Sequence, residues 1–221
     1  MSPQEEKEFI ERAFQKLKER GWFPGQEFEP STITEQEISA FEQKHQVTLP
    51  SLYKAFLTSY RLPQSDFNSI CSVIDRDADG YLSPLWLMID SPRTMDDVSE
   101  RMEILQEIRD FCELPEDCFR NLIPIGDWGA GFGPLCIDLS RPEEQADEEN
   151  EQTWSLVWFD HEDFDWDEQY LGEDGLLHGR EAAPGLKVLL EWYFYGSLED
   201  RFEREEGTRP SYEWYQETLK R

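Results

Sequence analysis

Three short segments of this chain set potential ligands or bases at spacings that chemistry can use. Asp75-Arg76-Asp77-Ala78-Asp79-Gly80 matches the opening half of a calcium loop, with oxygen donors at positions one, three and five and a glycine at six for the sharp turn. A hard cation held this way also needs a bidentate carboxylate at position twelve, and that position is Trp86. Pro84 would break the exiting helix, and the flanks, residues 69–74 and 81–89, read as strands. Asp75, Asp77 and Asp79 are therefore read first as an acidic hairpin turn, with calcium binding the weaker alternative. Gly129-Ala130-Gly131-Phe132-Gly133 has the glycine density of a phosphate loop. It leads into a strand instead of a helix, and no Lys accompanies it, so its glycines are read as permitting positive φ in a turn. His161 stands among Asp160, Glu162, Asp163, Asp165, Asp167 and Glu168, and an imidazole beside carboxylates can act as base or metal ligand. These acids are nearly consecutive, however, so in a strand or its exit they point in alternating directions and not at one centre. The other histidines, His45 and His178, have no companion motif, and no H-x-x-H, H-E-x-x-H, G-x-S-x-G or Cys/His pairing occurs. The expectation is a non-enzymatic protein without cofactor or bound metal.

The acid run itself is the more informative object. Residues 141–168 hold twelve acidic residues against one basic residue, a net of −11. Trp154, Trp158, Phe164 and Trp166 are interleaved with it. Trp154 and Trp158 fall on one side of a strand and are assigned to the core, whereas Phe164 and Trp166 lie beyond it and are expected to be exposed anchors. Aromatic anchors ringed by acids suit a surface that meets a basic protein. The expected contact patch is Asp160, Glu162, Asp163, Asp165, Trp166 and Asp167, with Glu143, Glu144, Glu148 and Glu149 as a second edge. The alternative is a solvated loop with its aromatics tucked back. The whole chain carries a formal charge of −28, which repels nucleic acid and anionic membranes and steers cationic partners. Solubility alone is the plainer explanation of such a charge.

The elements that must hold these groups follow from periodicity. The chain's 221 residues, with eight Trp, eight Tyr and fourteen Phe, can build a substantial core. Ser2-Pro3 with Glu5 starts a helix running to about Arg20, and Gly21 to Gly25 ends it. Thr34-x-x-Glu37 opens a second helix, and Leu49-Pro50 launches a third. Residues 69–74 and 81–89 pair as strands around Asp79-Gly80, with Pro84 placed at an edge or at the strand's start. A charged helix over residues 95–112 is expected to bury Val98, Met102, Ile104, Leu105 and Ile108. Strands at 122–125, 135–139 and 154–159 complete the sheet, the last two joined by an acidic loop, 140–153, expected to be mobile. A helix follows Pro184-Gly185, and a short one carrying Trp214 and Leu219 ends the chain. No apolar run suits a secretory signal or a membrane span, and Cys71, Cys112, Cys118 and Cys136 form no C-x-x-C pair. A cytoplasmic protein with reduced cysteines is expected.

The order of the pieces is itself a signature. Ile38, Phe41, Glu42; Leu49, Pro50, Tyr53, Phe56, Leu57; Ile125, Gly126; Gly131, Gly133, Leu135, Cys136, Ile137, Asp138; and Val157, Trp158, Asp160, His161, Glu162 follow one another along the chain. This succession resembles the SUKH superfamily of bacterial toxin-immunity proteins and fungal cell-wall assembly regulators, over roughly residues 30–200. Where family members usually carry an Asn-Gly turn after the third of these helices, this chain has Ser59-Tyr60-Arg61. The resemblance implies an α+β fold, a mostly antiparallel twisted sheet with helices packed on it. It divides the chain into an N-terminal helix and linker (1–29), the domain proper (30–205) and a C-terminal helical extension (206–221). It also implies a non-catalytic binding role whose partner is a protein toxin of nuclease or deaminase type, its basic site blocked by an acidic surface, or else a regulatory scaffold with no toxin.

Overall fold

A computed structural model describes residues 1–23, 25–63, 69–76, 82–129, 133–160, 162, 163 and 165–206; within these ranges, no side chain is described for 69–76, 82–86, 201, 202, 205 and 206. The elements run α1 (Pro3–Glu19), β1 (Glu29–Pro30), α2 (Glu35–His45), α3 (Ser51–Ser59), β2 (Tyr60–Arg61), β3 (Ser69–Arg76), β4 (Leu82–Ile89), α4 (Met95–Phe111), β5 (Leu122–Trp128), β6 (Gly133–Asp138), β7 (Leu156–Trp158), α5 (Trp166–Gln169), β8 (Arg180–Ala183), α6 (Leu186–Leu190) and α7 (Ser197–Glu206). Six strands form one antiparallel sheet in the order β3-β4-β5-β6-β7-β8. Sequential neighbours pair throughout, β4 with β5 across the long excursion through α4 and β7 with β8 across α5. The α+β expectation holds, and α1, α2 and α4 each start on a capping box, at Ser2/Glu5, Thr34/Glu37 and Thr94/Asp97.

The period of two along the central strands sorts their side chains into two cores. Ile123 and Ile125 of β5, Leu135 and Ile137 of β6, and Leu156 of β7 join the larger one with α1, α3 and α6. Leu122, Cys136 and Val157 turn the other way, toward Leu105, Leu114, Phe119, Phe159, Trp166 and Tyr170. The middle of the sheet is thus covered on both faces. Gly126 fits this crowding: a β-carbon there would lie 1.9 Å from the Met88 carbonyl oxygen of β4, so the Ile-Gly pair is a steric requirement. Pro84 lies in β4 opposite Val73, outside the stretch Leu87–Ile89 that pairs with β5. That position agrees with the edge placement its missing N–H demands.

Helix α1 stands at the chain's start but is built into the larger core. Phe14 lies against Phe28, Phe56, Tyr60 and Phe194, and Ile10, Ala13 and Leu17 are fully buried. The corner between α2 and α3 is closed by Glu42, whose carboxylate accepts from the Leu49 N–H at 2.8 Å and pairs with Lys54 at 2.9 Å. Ser59-Tyr60-Arg61 does not make a free turn: Tyr60 and Arg61 pair with Pro30 and Glu29 as a two-stranded ribbon. The residues carrying the final helix, Trp214 and Leu219, lie outside the described residues, as do Asp77, Asp79, Gly131, His161 and Phe164.

Candidate functional site

The acid run divides at β7. On its C-terminal side, Phe159 leaves the strand and Trp166 begins α5, and the two rings stack at 5.1 Å between centroids. Trp166 also meets Tyr170 and Phe119 edge-on, and its Nε1–H donates to the Asp160 carbonyl at 3.2 Å. It is 1% exposed. The expectation of an exposed Trp166 anchor is therefore corrected: an indole next to three other rings gains more from leaving water than from waiting in it.

Arg180 of β8 organises the acids around this cluster. Its guanidinium lies 2.9 Å from Asp163 Oδ2 and 3.3 Å from Asp160 Oδ2, and 5.2 Å above the Trp158 ring. The Tyr170 hydroxyl donates to Asp163 as well, and burial with this carboxylate beside it pushes the phenol up to about 12. Asp160 and Asp163 are thus partly neutralised inside the molecule, while Glu162, Asp165, Asp167 and Glu168 stay exposed. Sequence reasoning missed Arg180 because it lies 20 residues from Asp160, beyond any local pattern.

On the N-terminal side of β7 the loop is folded upon itself. Glu143–Gln145 and Glu151–Thr153 form 3-10 turns, Thr153 Oγ accepts from the Asp147 N–H at 2.8 Å, and Trp154 Nε1–H donates to the Asp147 carbonyl at 3.0 Å. Trp154 packs edge-on against Trp192 and is half-buried instead of lying in the core, while Trp158, also half-buried, packs against the larger core. Glu143 departs from its expected role as a surface acid. Its carboxylate sits over Gly185 and accepts from the Lys187 N–H at 3.0 Å, capping α6 in place of a side chain at the N-cap. Burial holds that carboxyl above its ordinary range. Glu144, Glu148 and Glu149 remain exposed. A groove of about 690 Å³ opens between this loop and the first turns of α3 and α6, lined by both signs of charge, among them Lys54, Arg141, Lys187, Glu144 and Glu148.

Asp138, at the end of β6, is fully buried. Its Oδ1 accepts from Asn121 Nδ2 at 2.8 Å and from the Ser140 N–H at 2.9 Å, while Oδ2 lies 3.4 Å from both His178 Nδ1 and Arg141 Nε. Asp174 occupies the other ring nitrogen of His178 at 3.1 Å. A histidine with a carboxylate on each nitrogen is positioned as a strut and has no free atom to offer a substrate. The Cys112, Cys118 and Cys136 thiols are all pushed up by burial, Cys118 to about 11, which disfavours the reactive thiolate. Among the described residues no group of three or more His, Cys, Asp or Glu side chains lies together as a metal site would need, and no helix is long and apolar enough to cross a membrane.

A second acidic pair sits where β4 ends. Asp90 bonds Arg101 at 2.7 Å, with Asp127 at 3.8 Å from the same guanidinium. Burial raises the Asp90 carboxyl above its ordinary range, Asp127 adds to that and Arg101 opposes it. A folded-state value above the unfolded one means stability that is present at low pH and lost as pH rises through the folded value. Urea denaturation of wild type and Asp90→Asn from pH 4 to 7 is expected to show the gap moving in favour of the variant as pH rises. A constant gap would refute the assignment.

A protein-family model described as SMI1 / KNR4 family (SUKH-1) matches residues 32–172. No curated protein matches the chain.

Proposed function

Because the chain belongs to the SMI1 / KNR4 family (SUKH-1), we propose that it is a non-catalytic binding protein that neutralises a cognate protein toxin by presenting an acidic surface. The observation that supports this reading is the set of exposed carboxylates Glu162, Asp165, Asp167 and Glu168 around α5, with Glu144, Glu148 and Glu149 beyond the far end of β7. A nuclease or deaminase site must be basic to hold phosphates. A dense row of carboxylates imitates that polyanion, accelerates encounter by steering and excludes the substrate stoichiometrically. Asp160 and Asp163, held by Arg180, shape the patch more than they charge it. A regulatory scaffold of the same fold is the second reading, and an adjoining toxin gene would separate the two.

Association of the purified chain with the product of that adjoining gene tests the proposal. Asp165→Lys/Asp167→Lys should slow association about tenfold or more at low ionic strength, with the difference shrinking near 0.5 M salt, where charges more than a few ångströms apart are screened. Rates that stay the same at low salt would remove this patch from the interface.

A further inference from the structure

Helix α4 turns a narrower face inward than its apolar arc suggests. Met95, Val98 and Leu105 are buried, whereas Ile104, expected beside them, is 43% exposed. That expectation is corrected: a helix has room for only part of a wide apolar arc against a flat sheet. In this orientation Asp97, Val98 and Arg101 of α4 meet Tyr53 of α3, Asp90 after β4 and Pro124 of β5 around a pocket of about 180 Å³. Tyr53 is 2% exposed, yet its hydroxyl makes no hydrogen bond among the described residues. Burial raises this phenol and the Asp90 charge raises it further, so the hydroxyl lies near that carboxylate. Of the two Asp90 oxygens, Oδ1 is held by Arg101 at 2.7 Å, and the buried Oδ2 has no partner among the described residues. Polar atoms left unsatisfied in this way destabilise the fold, and a bound donor would offset the loss.

We propose that this pocket binds a primary ammonium group, the head of a lysine side chain on the protein partner. This rests on the reading that the partner is basic, but no residue of the acidic run 141–168 is among those lining the pocket, so it is a separate point of contact. Charge selects a cation. Asp90 and Asp97 stand against Arg101 at the rim, and Asp127 lies 3.8 Å from that same guanidinium. Burial disfavours the charged form of Asp90, and a cation beside it would relieve that penalty. Geometry selects ammonium over guanidinium. A guanidinium pairs best with both oxygens of a carboxylate, and Arg101 already holds one of those on Asp90. What remains is one carboxylate oxygen and one phenol oxygen, which a compact ammonium with three rotatable donors can bridge. Val98 and Pro124 offer an apolar wall to the methylene stem.

Butylammonium and butylguanidinium, two head groups on equal stems, serve as probes on the full chain, read by the amide NMR shifts of Ser91 and Val98. Butylammonium is expected to bind about tenfold more tightly than butylguanidinium. Tyr53→Phe and Asp90→Asn should each weaken butylammonium binding about tenfold. Tyr53→Phe deletes only a hydroxyl that holds nothing in the fold, so its effect is read on a folded protein. A capped Gly-Lys-Gly tripeptide should shift the same amides and lose affinity in the same two variants. Equal affinity for the two head groups, or unchanged butylammonium binding in either variant, would overturn the pocket. Butylammonium binding without tripeptide binding would overturn the partner lysine, because the site would then admit only free amines. If the probes fail while Asp165→Lys/Asp167→Lys still slows association with the toxin, the pocket is wrong and the acidic-surface reading stands. If the tripeptide binds as expected and that double variant changes nothing, the patch around α5 falls and the pocket stands.

Discussion

Arg20→Ala is expected to lower the free energy of unfolding by about 3–5 kcal/mol, the loss found when one member of a buried ion pair is removed. Arg20 ends α1, and its guanidinium reaches across to the chain's other end. It donates to the Tyr193 and Phe194 carbonyls, which close the π turn Glu191–Tyr195, and it pairs with Glu199 in the first turn of α7. The Glu199 side chain is 1% exposed and that of Arg20 11%, so water cannot take over either role. Gly196 makes the approach possible: its φ of +85° favours glycine, and a β-carbon there would stand 2.5 Å from Arg20 Nε. The charge left behind on Glu199 is the main source of the loss, so Arg20→Met/Glu199→Leu should regain a large part of it. Urea midpoints at fixed slope measure both effects. A single variant within about 1 kcal/mol of wild type would show that α1 is not locked to α7 in this way.

Trp166→Ala should cost a similar amount, about 3–5 kcal/mol, because a large buried ring leaves a cavity as well as losing its transfer energy. Phe159, Tyr170 and Phe119 all lose a ring neighbour, and the Asp160 carbonyl loses its indole donor. Phe111→Ser, on a side chain 73% exposed, should change stability by less than about 1 kcal/mol. The buried aromatic therefore holds the fold, whereas the exposed one contributes little to it. Equilibrium unfolding of each separates the outcomes. A Trp166→Ala protein as stable as wild type would return Trp166 to the surface and remove the smaller core as the support for the acidic patch.

Helix starts at Ser2, Thr34 and Thr94, the paired strands β3 and β4, and the family motifs all follow from local chemistry. Their causes are local: a side chain three residues away satisfies an orphan amide, or a period of two matches a pleat. The motif residues Ile38, Phe41, Leu49, Tyr53, Phe56 and Leu57 are all buried, as their spacing requires. The candidate site was less legible. Arg180 lies 17 residues from Asp163 and Lys187 lies 44 from Glu143, so nothing in either neighbourhood announces the partner.

What the amino-acid order alone determined is the family, the α+β elements and the strongly negative character of residues 141–168. Folding decided which carboxylates stay in water, because Arg180 and the α6 amides claimed some of them, and it decided which apolar side chains remain outside. A helix can turn only one side toward a sheet, so α4 buried Leu105 and left its neighbour Ile104 exposed. That choice depends on where the sheet lies, which no stretch of the helix encodes by itself.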